Sequence, residues 1–397
     1  MQENWKEIIK QAIEQKKKLI IAIAILVIVI LIALIAIIVT YSKNRNIREW
    51  IDKNIFRKEV MQDNVTTIER KEGQDENIYT FSKYLGILNK NQFTIYGTTG
   101  NKEAELEVEI SNPTFDSSNR FLAMAEKKGK KLYLITDKEI TWKAEVEGNI
   151  SQVHVNKNGY VVVVITDTSY KTVVEVYAPD GNGKSKFKTF LSSTRTADVS
   201  ISNDNKHLAI AEVDTSGTII QSNIKVISVD KASTDPTNSL EKTYQSEPDK
   251  LITNIKYQDK NKLICMYTDS IHIIENEQDK ILINNESKKP IFKSIELNNH
   301  AIEIEEKASG LFTADSVVNI VNIENEETKQ YTAEAVTKEI YTYGNIIALN
   351  LGTEVEFINT DGWLVKRYIA NQEITNIVVS NNIAGIIYRD KIEIINL

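Results

Sequence analysis

Eight short apolar stretches recur along the 397-residue chain, and their spacing constrains the fold more than any other feature. Each stretch has the length of a β-strand and is followed by a turn rich in Asn, Asp or Gly. They begin near Tyr84, Phe121, Tyr160, Leu208, Leu263, Ala301, Ile346 and Ile383, at intervals of 37 to 55 residues. A period of roughly 40–45 residues is typical of four-stranded propeller blades. We therefore predict an all-β chain that forms an eight-bladed β-propeller, with seven blades as the alternative.

Other strands accompany each apolar stretch. A preceding strand of form Ile-Thr/Ser-x-Val/Ile occurs at Ile150–Val153, Ile252–Ile255 and Ile374–Ile377, with looser copies at Ala197–Ile201, Phe292–Leu297 and Val336–Tyr341. The last strand of most repeats is more polar, as an exposed outer edge should be. The final repeat ends at Leu397 with three strands, and an unassigned strand, Val65–Arg70, precedes the first repeat. We predict that Val65–Arg70 completes the last blade, which would leave no open sheet edge in the ring.

The N-terminal part has a different character. Leu19–Val39 contains 21 apolar residues without a charge, Pro or Gly. At about 1.5 Å per residue such a helix spans the roughly 30 Å hydrocarbon core of a bilayer, and no small-residue cleavage site of a signal peptide follows it. We predict a tail at 1–18, a transmembrane helix at 19–39, a juxtamembrane amphipathic helix at 40–60 and the propeller at 61–397.

The segment Asn44–Val60 places Ile47, Trp50, Ile51 and Ile55 at helical spacing. It is either a linker helix or an interfacial helix with Trp50 at the level of the lipid headgroups. Basic residues flank the membrane segment on both sides, and the cluster Lys16-Lys17-Lys18 lies directly beside it. We expect a single-pass protein of the cell membrane with a cytoplasmic N-terminus and the propeller outside; a cytoplasmic propeller is the alternative.

Charge is divided unevenly along the chain. Residues 1–58 carry 11 Lys and Arg against 5 Asp and Glu, whereas the remaining residues carry 37 against 50. Because binding to phosphate backbones requires clustered Lys and Arg, an acidic propeller is a poor match for nucleic acid. We predict a membrane contact through residues 19–39, a protein or cell-envelope partner, and no nucleic-acid partner.

Two tryptophans open last strands, in Asp137-Lys-Glu-Ile-Thr-Trp142 and Asp361-Gly-Trp363. This resembles the repeat of quinoprotein-like and WD40-like propellers, in which Asp, Gly and Trp tie neighbouring blades together. The chain also contains the stretches Arg48–Val60, Asn158-Gly-Tyr160 and Thr168-Ser-Tyr-Lys171. With the membrane segment, these make the whole chain similar to an uncharacterised family of single-pass, membrane-anchored propellers of low-GC Gram-positive bacteria. The resemblance implies a fold and a location but no activity.

Two segments partly match known binding motifs but lack the neighbouring elements that these motifs require. Ala178–Ser185 fits a relaxed P-loop pattern, but a strand follows it where a phosphate-binding loop needs a helix, so a hairpin is the better interpretation. Asp180, Asn182 and Ser185 lack the closing Glu of a calcium loop. The sequence shows no Gly-x-Ser-x-Gly elbow and no axial Asn/Asp/Glu set for a quinone cofactor and calcium.

The four histidines and the one cysteine, His154, His207, His272, His300 and Cys265, show no metal-ligand spacing. His154 lies on a first strand, where it either lines the axial channel or is held by a hydrogen bond. We predict no catalytic residue, cofactor or metal.

If one end of the ring binds a partner, we expect the end with the loops between second and third strands and the links between blades. Asp167, Tyr170 and Arg195 are our candidate contacts there, and the longest loops are Asp214–Ser222 and Lys307–Asp315.

The predicted function is a membrane-anchored extracytoplasmic scaffold that binds a protein or envelope polymer without catalysis. The alternative is an enzyme or sensor with an axial site for a small molecule or glycan. An axial site predicts a cluster of Asp, Glu, His or Arg at the ring centre, whereas a scaffold predicts an apolar or mixed patch on one face.

Overall fold

The computed structural model describes residues 17, 21, 23, 25–41, 47, 51, 55, 65–70, 76–276, 278–285, 289–310 and 313–397. The chain divides into two compact units, Met1–Glu59 and Val60–Leu397.

In the first unit, residues 25–41 form a helix, and its large apolar side chains between Ile25 and Val39 are about half exposed. The rest of the predicted segment Leu19–Val39 lies partly outside the described residues, as do most of 1–18 and 40–60, including Trp50. Among the described residues, no helix combines the length and the apolar character that crossing a membrane requires.

The second unit consists of eight four-stranded antiparallel sheets. Seven sheets use four consecutive strands, and the eighth combines the last three strands of the chain with the first. This confirms the predicted all-β, eight-bladed propeller, and the seven-bladed alternative is wrong. The sheets are named blades 1 to 8 in chain order, and the first strand of each blade is innermost.

The strands of blades 1 to 4 are β2 (Glu76–Phe81), β3 (Tyr84–Asn89), β4 (Gln92–Tyr96) and β5 (Lys102–Glu107); β6 (Pro113–Ser118), β7 (Phe121–Glu126), β8 (Lys131–Thr136) and β9 (Glu139–Glu145); β10 (Asn149–Val155), β11 (Val161–Thr166), β12 (Thr172–Tyr177) and β13 (Ser185–Leu191); β14 (Arg195–Ile201), β15 (His207–Asp214), β16 (Gln221–Ser228) and β17 (Leu240–Gln245).

The strands of blades 5 to 8 are β18 (Ile252–Tyr257), β19 (Lys262–Tyr267), β20 (Ser270–Glu275) and β21 (Gln278–Asn284); β22 (Phe292–Ser294), β23 (His300–Ala308), β24 (Ala314–Asn322) and β25 (Thr328–Ala333); β26 (Glu339–Tyr343), β27 (Ile346–Asn350), β28 (Glu354–Asn359) and β29 (Leu364–Ile369); β30 (Asn376–Val379), β31 (Ile383–Ile387), β32 (Lys391–Asn396) and β1 (Thr66–Glu69).

Burial follows the position of a strand in its blade. The second strand β11 is buried at five successive positions, because both of its faces pack against neighbouring blades. The outer strand β17 alternates between exposed and half-buried residues. In blade 4 a short helix, Val229–Ala232, and a 3-10 turn, Pro236–Asn238, separate the third and fourth strands, which accounts for the longest interval between repeats.

The structure shows what the two tryptophan motifs and the P-loop-like segment form. Trp142 is buried and its ring stacks on Tyr177 of blade 3 at a centroid distance of 5.5 Å, so it ties two blades together. Trp363 is 44% exposed and does not reproduce this burial. The segment Ala178–Ser185 is the hairpin turn between β12 and β13; Gly183 has a φ of +73° there, and a Cβ would collide with the carbonyl of Lys143.

The strand β1 pairs antiparallel with β32, with Thr66 opposite Ile394 and Ile68 opposite Ile392. Ile68 packs against a cluster of buried residues that includes Ile392 and Ile394. Beyond β1, the Arg70 amide donates to the Asp390 carbonyl at 2.8 Å. Strands from the two ends of the propeller segment therefore share one sheet.

We expect Ile68→Asp to lower the free energy of unfolding by about 2 kcal/mol, because it places a carboxylate against the apolar face shared by β1 and β32. Thr67→Asp is the matched control, since Thr67 is on the exposed face of the same strand. Denaturant titration of both variants measures the difference. Equal stability of the two variants would contradict the role assigned to β1.

Candidate functional site

The innermost strands of neighbouring blades contact one another around the ring axis. They enclose a cavity of about 730 Å³, bordered by a smaller one of about 120 Å³ that shares Asp116, Lys256 and Glu296 with it. The larger cavity reaches turns between first and second strands, at Asn119 and Gly344. It therefore opens at the end of the ring opposite to the loops that join second and third strands.

An ion pair crosses between two blades at this axis. Lys256 of β18 lies 2.6 Å from the Glu296 carboxylate and also donates to the Glu296 carbonyl at 2.8 Å. Attraction to Lys256 holds the pKa of the Glu296 carboxyl below its usual value. Burial alone would lower the pKa of Lys256, but the Glu296 carboxylate outweighs burial and raises it. Both side chains keep access to the cavity and stay charged.

Two aspartates join adjacent inner strands through backbone N–H groups. Asp116 of β6 accepts from Ser117 N and from Val155 N of the next blade, each at 2.8 Å. Asp198 of β14 accepts from Val199 N at 2.9 Å and from Ile255 N of the next blade at 2.8 Å. The same arrangement of hydrogen bonds therefore links blade 2 to blade 3 and blade 4 to blade 5.

The electrostatic environment of these aspartates is set by burial and by one histidine. Burial raises the pKa of Asp116 and of Asp198, and the charge of a protonated His154 opposes that effect. His154 Nε2 lies 3.2 Å from Asp198 Oδ1, and about a third of the His154 side chain is exposed. His154 therefore lines the axial cavity and lies against the Asp198 carboxylate.

The cavity lining also includes apolar and aromatic side chains. Blades 1, 7 and 8 contribute Ile78, Tyr341, Tyr343 and Val378 to it. Burial raises the pKa of Tyr343, whose hydroxyl lies close to Ser117. The lining of the axial cavity thus contains charged, apolar and aromatic side chains.

The ionisable groups at the axis have partners within the fold. The carboxylates of Asp116 and Asp198 already accept two backbone N–H groups each, and Glu296 is paired with Lys256. In the part of the chain that the structure describes, no group of three His, Cys, Asp or Glu side chains is arranged to hold a metal ion.

The three predicted contact residues have separate environments. Asp167 has a φ of +58° and accepts from Asn149 Nδ2 at 2.7 Å. Tyr170 is 41% exposed, and its ring packs on Phe190 at 4.8 Å. Arg195 is an exposed residue at the start of β14. Their role in binding stays a prediction, and they do not line the axial cavity.

Sequence reasoning identified His154 at the axis but missed Asp116, Asp198, Lys256 and Glu296. Asp198 carried a usable signal, because it is a charged residue within a recognised inner strand, Ala197–Ile201. Asp116 gave none, because its strand lacks the Ile-Thr/Ser-x-Val/Ile pattern.

We expect Asp198→Ala to destabilise the fold, since it leaves Val199 N and Ile255 N without an acceptor. The cost of an unsatisfied buried group is about 1–3 kcal/mol, and Asp198→Asn should lose less because its carbonyl oxygen still accepts. Asp214→Ala, at a half-buried aspartate that accepts from the nearby Ser216 and joins no inner strands, is the control. The account fails here if equilibrium unfolding shows Asp198→Ala to be no more costly than Asp214→Ala.

Solved structures share this fold at low sequence identity. BamB from Moraxella catarrhalis aligns with a TM-score of 0.51 and 12% identity, covering 85% of this chain and 100% of that chain. The C-terminal WD40 domain of Sif2 aligns with a TM-score of 0.57 and 12% identity, covering 83% and 98%. Chaetomium thermophilum Sqt1 aligns with a TM-score of 0.51 and 10% identity, covering 82% and 98%.

At such identities these likenesses show the fold alone, and no curated protein matches the chain in sequence. The model of one protein family, described as a family of unknown function, matches residues 57–397. The chain therefore belongs to this family, DUF5711.

Proposed function

We propose that the protein is a binding scaffold that takes a segment of a protein partner, or of an envelope polymer, into its axial cavity. The observation that carries the proposal is the cavity of about 730 Å³ at the centre of the ring, which is lined by charged, apolar and aromatic side chains. Its volume is within the range of roughly 300–1,000 Å³ that is common for ligand sites.

The chemistry of the wall supports binding without catalysis. A general base or nucleophile needs a free lone pair directed at the substrate. Asp116 and Asp198 instead use their carboxylates to hold inner strands together, and Lys256 and Glu296 neutralise each other. These groups are suited to orienting a polar chain that enters the ring.

A peptide segment fits a lining of mixed polarity, because its backbone and side chains offer both polar and apolar groups. The Sqt1 structure contains that propeller bound to the N-terminus of ribosomal protein L10. That structure supports a chain terminus as the kind of partner we propose.

We propose further that the protein is attached to the cell membrane, with its N-terminus inside and the propeller outside. The uncharged run Leu19–Val39 and the exposed apolar side chains of helix 25–41 support attachment. The position of Lys16–Lys18 beside that run supports the orientation. A cytoplasmic propeller is the alternative.

The second candidate function is an axial site for a small molecule or glycan, as in a sensor or an enzyme. The cluster of Asp116, His154, Asp198 and Glu296 at the ring centre is the feature that favours it. A protein or polymer partner must pass the open end of the cavity, at the turns between first and second strands, and would cover it. A small ligand would leave that end exposed.

Site-specific photo-crosslinking in the native cells tests the scaffold proposal. A photoreactive residue at Lys157, which is exposed and borders both cavities, should give a discrete high-mass product. The matched control is Lys186 on the outer strand of the same blade. Equal products at both positions, or none at Lys157 beyond small-molecule adducts, would argue against a macromolecular partner at the axis.

Protease treatment of intact cells tests the orientation. We expect the propeller to be cleaved, or shortened to its folded core, before lysis, because an outward-facing domain is accessible to the enzyme. A cytoplasmic marker protein provides the control for cell integrity. Cleavage only after lysis would assign the propeller to the cytoplasm.

A further inference from the structure

A serine, a histidine and an aspartate are aligned on the third and fourth strands of blade 5. Ser270 and His272 lie two residues apart on β20 and therefore project from the same face, and Asp279 is on β21. Ser270 Oγ lies 2.9 Å from His272 Nε2, and His272 Nδ1 lies 2.8 Å from Asp279 Oδ1. A nucleophile, a base and an orienting carboxylate in this order define a serine triad by geometry, whatever the sequence motif.

The carboxylate decides which nitrogen of the neutral imidazole carries the proton. Asp279 only accepts, so His272 Nδ1 donates to it and Nε2 is left as the acceptor for the Ser270 hydroxyl. A competing acceptor, Asp269 Oδ1, lies farther from Ser270 Oγ, at 3.2 Å, and Asp269 is also paired with Lys250. The Ser270 hydroxyl therefore has two acceptors within reach, and His272 Nε2 is the nearer one.

Neighbouring side chains hold the imidazole in place. The Tyr267 ring on β19 packs against the His272 ring at a centroid distance of 4.3 Å. Cys265 is opposite His272 in the sheet, but it is fully buried and burial raises the pKa of its thiol. Ser270 is therefore the hydroxyl or thiol nucleophile that touches the base.

The site lies behind the outer edge of the blade, since β21 is the edge strand; Ser270 is 6% exposed and the His272 side chain is 17% exposed. Ile281, opposite His272, is 51% exposed, and Asn284, opposite Ser270, is also exposed. Ile281 offers an apolar contact to an acyl chain next to the nucleophile.

A buried amide lies one residue beyond this pair of strands. Asn285 donates its backbone N–H to the Asp269 carbonyl at 2.8 Å, and its side-chain amide has no hydrogen-bond partner among the described residues. An amide donor of this kind can stabilise a developing oxyanion.

We propose that Ser270, His272 and Asp279 form an acyl-transfer site for an ester at the rim of blade 5, an activity beyond the scaffold function. Ser270 Oγ attacks the ester carbonyl carbon and gives its proton to His272 Nε2. The ester C–O bond breaks, and the leaving alcohol takes that proton. Water then cleaves the acyl-serine: His272 removes a proton from the water and returns it to Ser270 Oγ. The balance is ester and water to acid and alcohol.

Labelling of the full-length protein with a fluorophosphonate, followed by peptide mass spectrometry, tests the proposal. We expect an adduct on Ser270 that is absent from Ser270→Ala and forms at least about tenfold more slowly in His272→Gln, since a general base contributes that much or more. Ser216→Ala, at an exposed loop serine, should label like the wild type. Thermal melting confirms that each variant is folded.

Asp279 acts through His272 and is a positioning residue, so its test includes the imidazole tautomer. Asp279→Asn should slow labelling and move the His272 proton from Nδ1 to Nε2, which ¹⁵N NMR resolves among only four histidines. The proposal would be overturned if the folded wild type formed no adduct on Ser270. It would also be overturned if His272→Gln and Asp279→Asn were labelled at the wild-type rate. Crosslinking from Lys157 should be unchanged in these variants, which separates this test from that of the scaffold.

Discussion

A ring of sheets must join its first strand to its last, and here backbone hydrogen bonds between β1 and β32 do so. Without β1, the third strand of blade 8 would be an open edge able to pair with another chain. The same pairing keeps residues from the start and the end of the propeller in one sheet. The other blades are local, four consecutive strands each, and only blade 8 depends on a contact across more than 300 residues.

The inner strands of the closed ring both bond to their neighbours and line the axial cavity. Asp116 and Asp198 hold adjacent strands together by accepting their N–H groups, and the same residues make the axis polar. The groups that line the cavity therefore also stabilise the fold, and they cannot be exchanged freely for others. The rim is less constrained, which is where the Ser270–His272–Asp279 geometry occurs.

The blade count followed from the sequence because each second strand is buried on both faces and must be apolar, as at Val161–Thr166. The inner strands of blades 1 and 2 were missed, since Glu76–Phe81 and Pro113–Ser118 lack the Ile-Thr/Ser-x-Val/Ile pattern. The axial cluster depends on residues up to 180 positions apart, Asp116 to Glu296, and the triad depends on strand register. Local periodicity shows neither which distant residues meet at the axis nor the register of two strands, so only the fold brings these side chains together.

Hydrogen exchange of backbone amides under native conditions tests ring closure most directly. If β1 is an integral strand of blade 8, the amides of Thr66–Glu69 that bond to β32 should exchange with protection close to that of other outer strands, such as Thr328–Ala333. Exchange of Thr66–Glu69 at the rate of an unstructured chain, while β32 and the other blades stay protected, would show that the ring is not closed by β1.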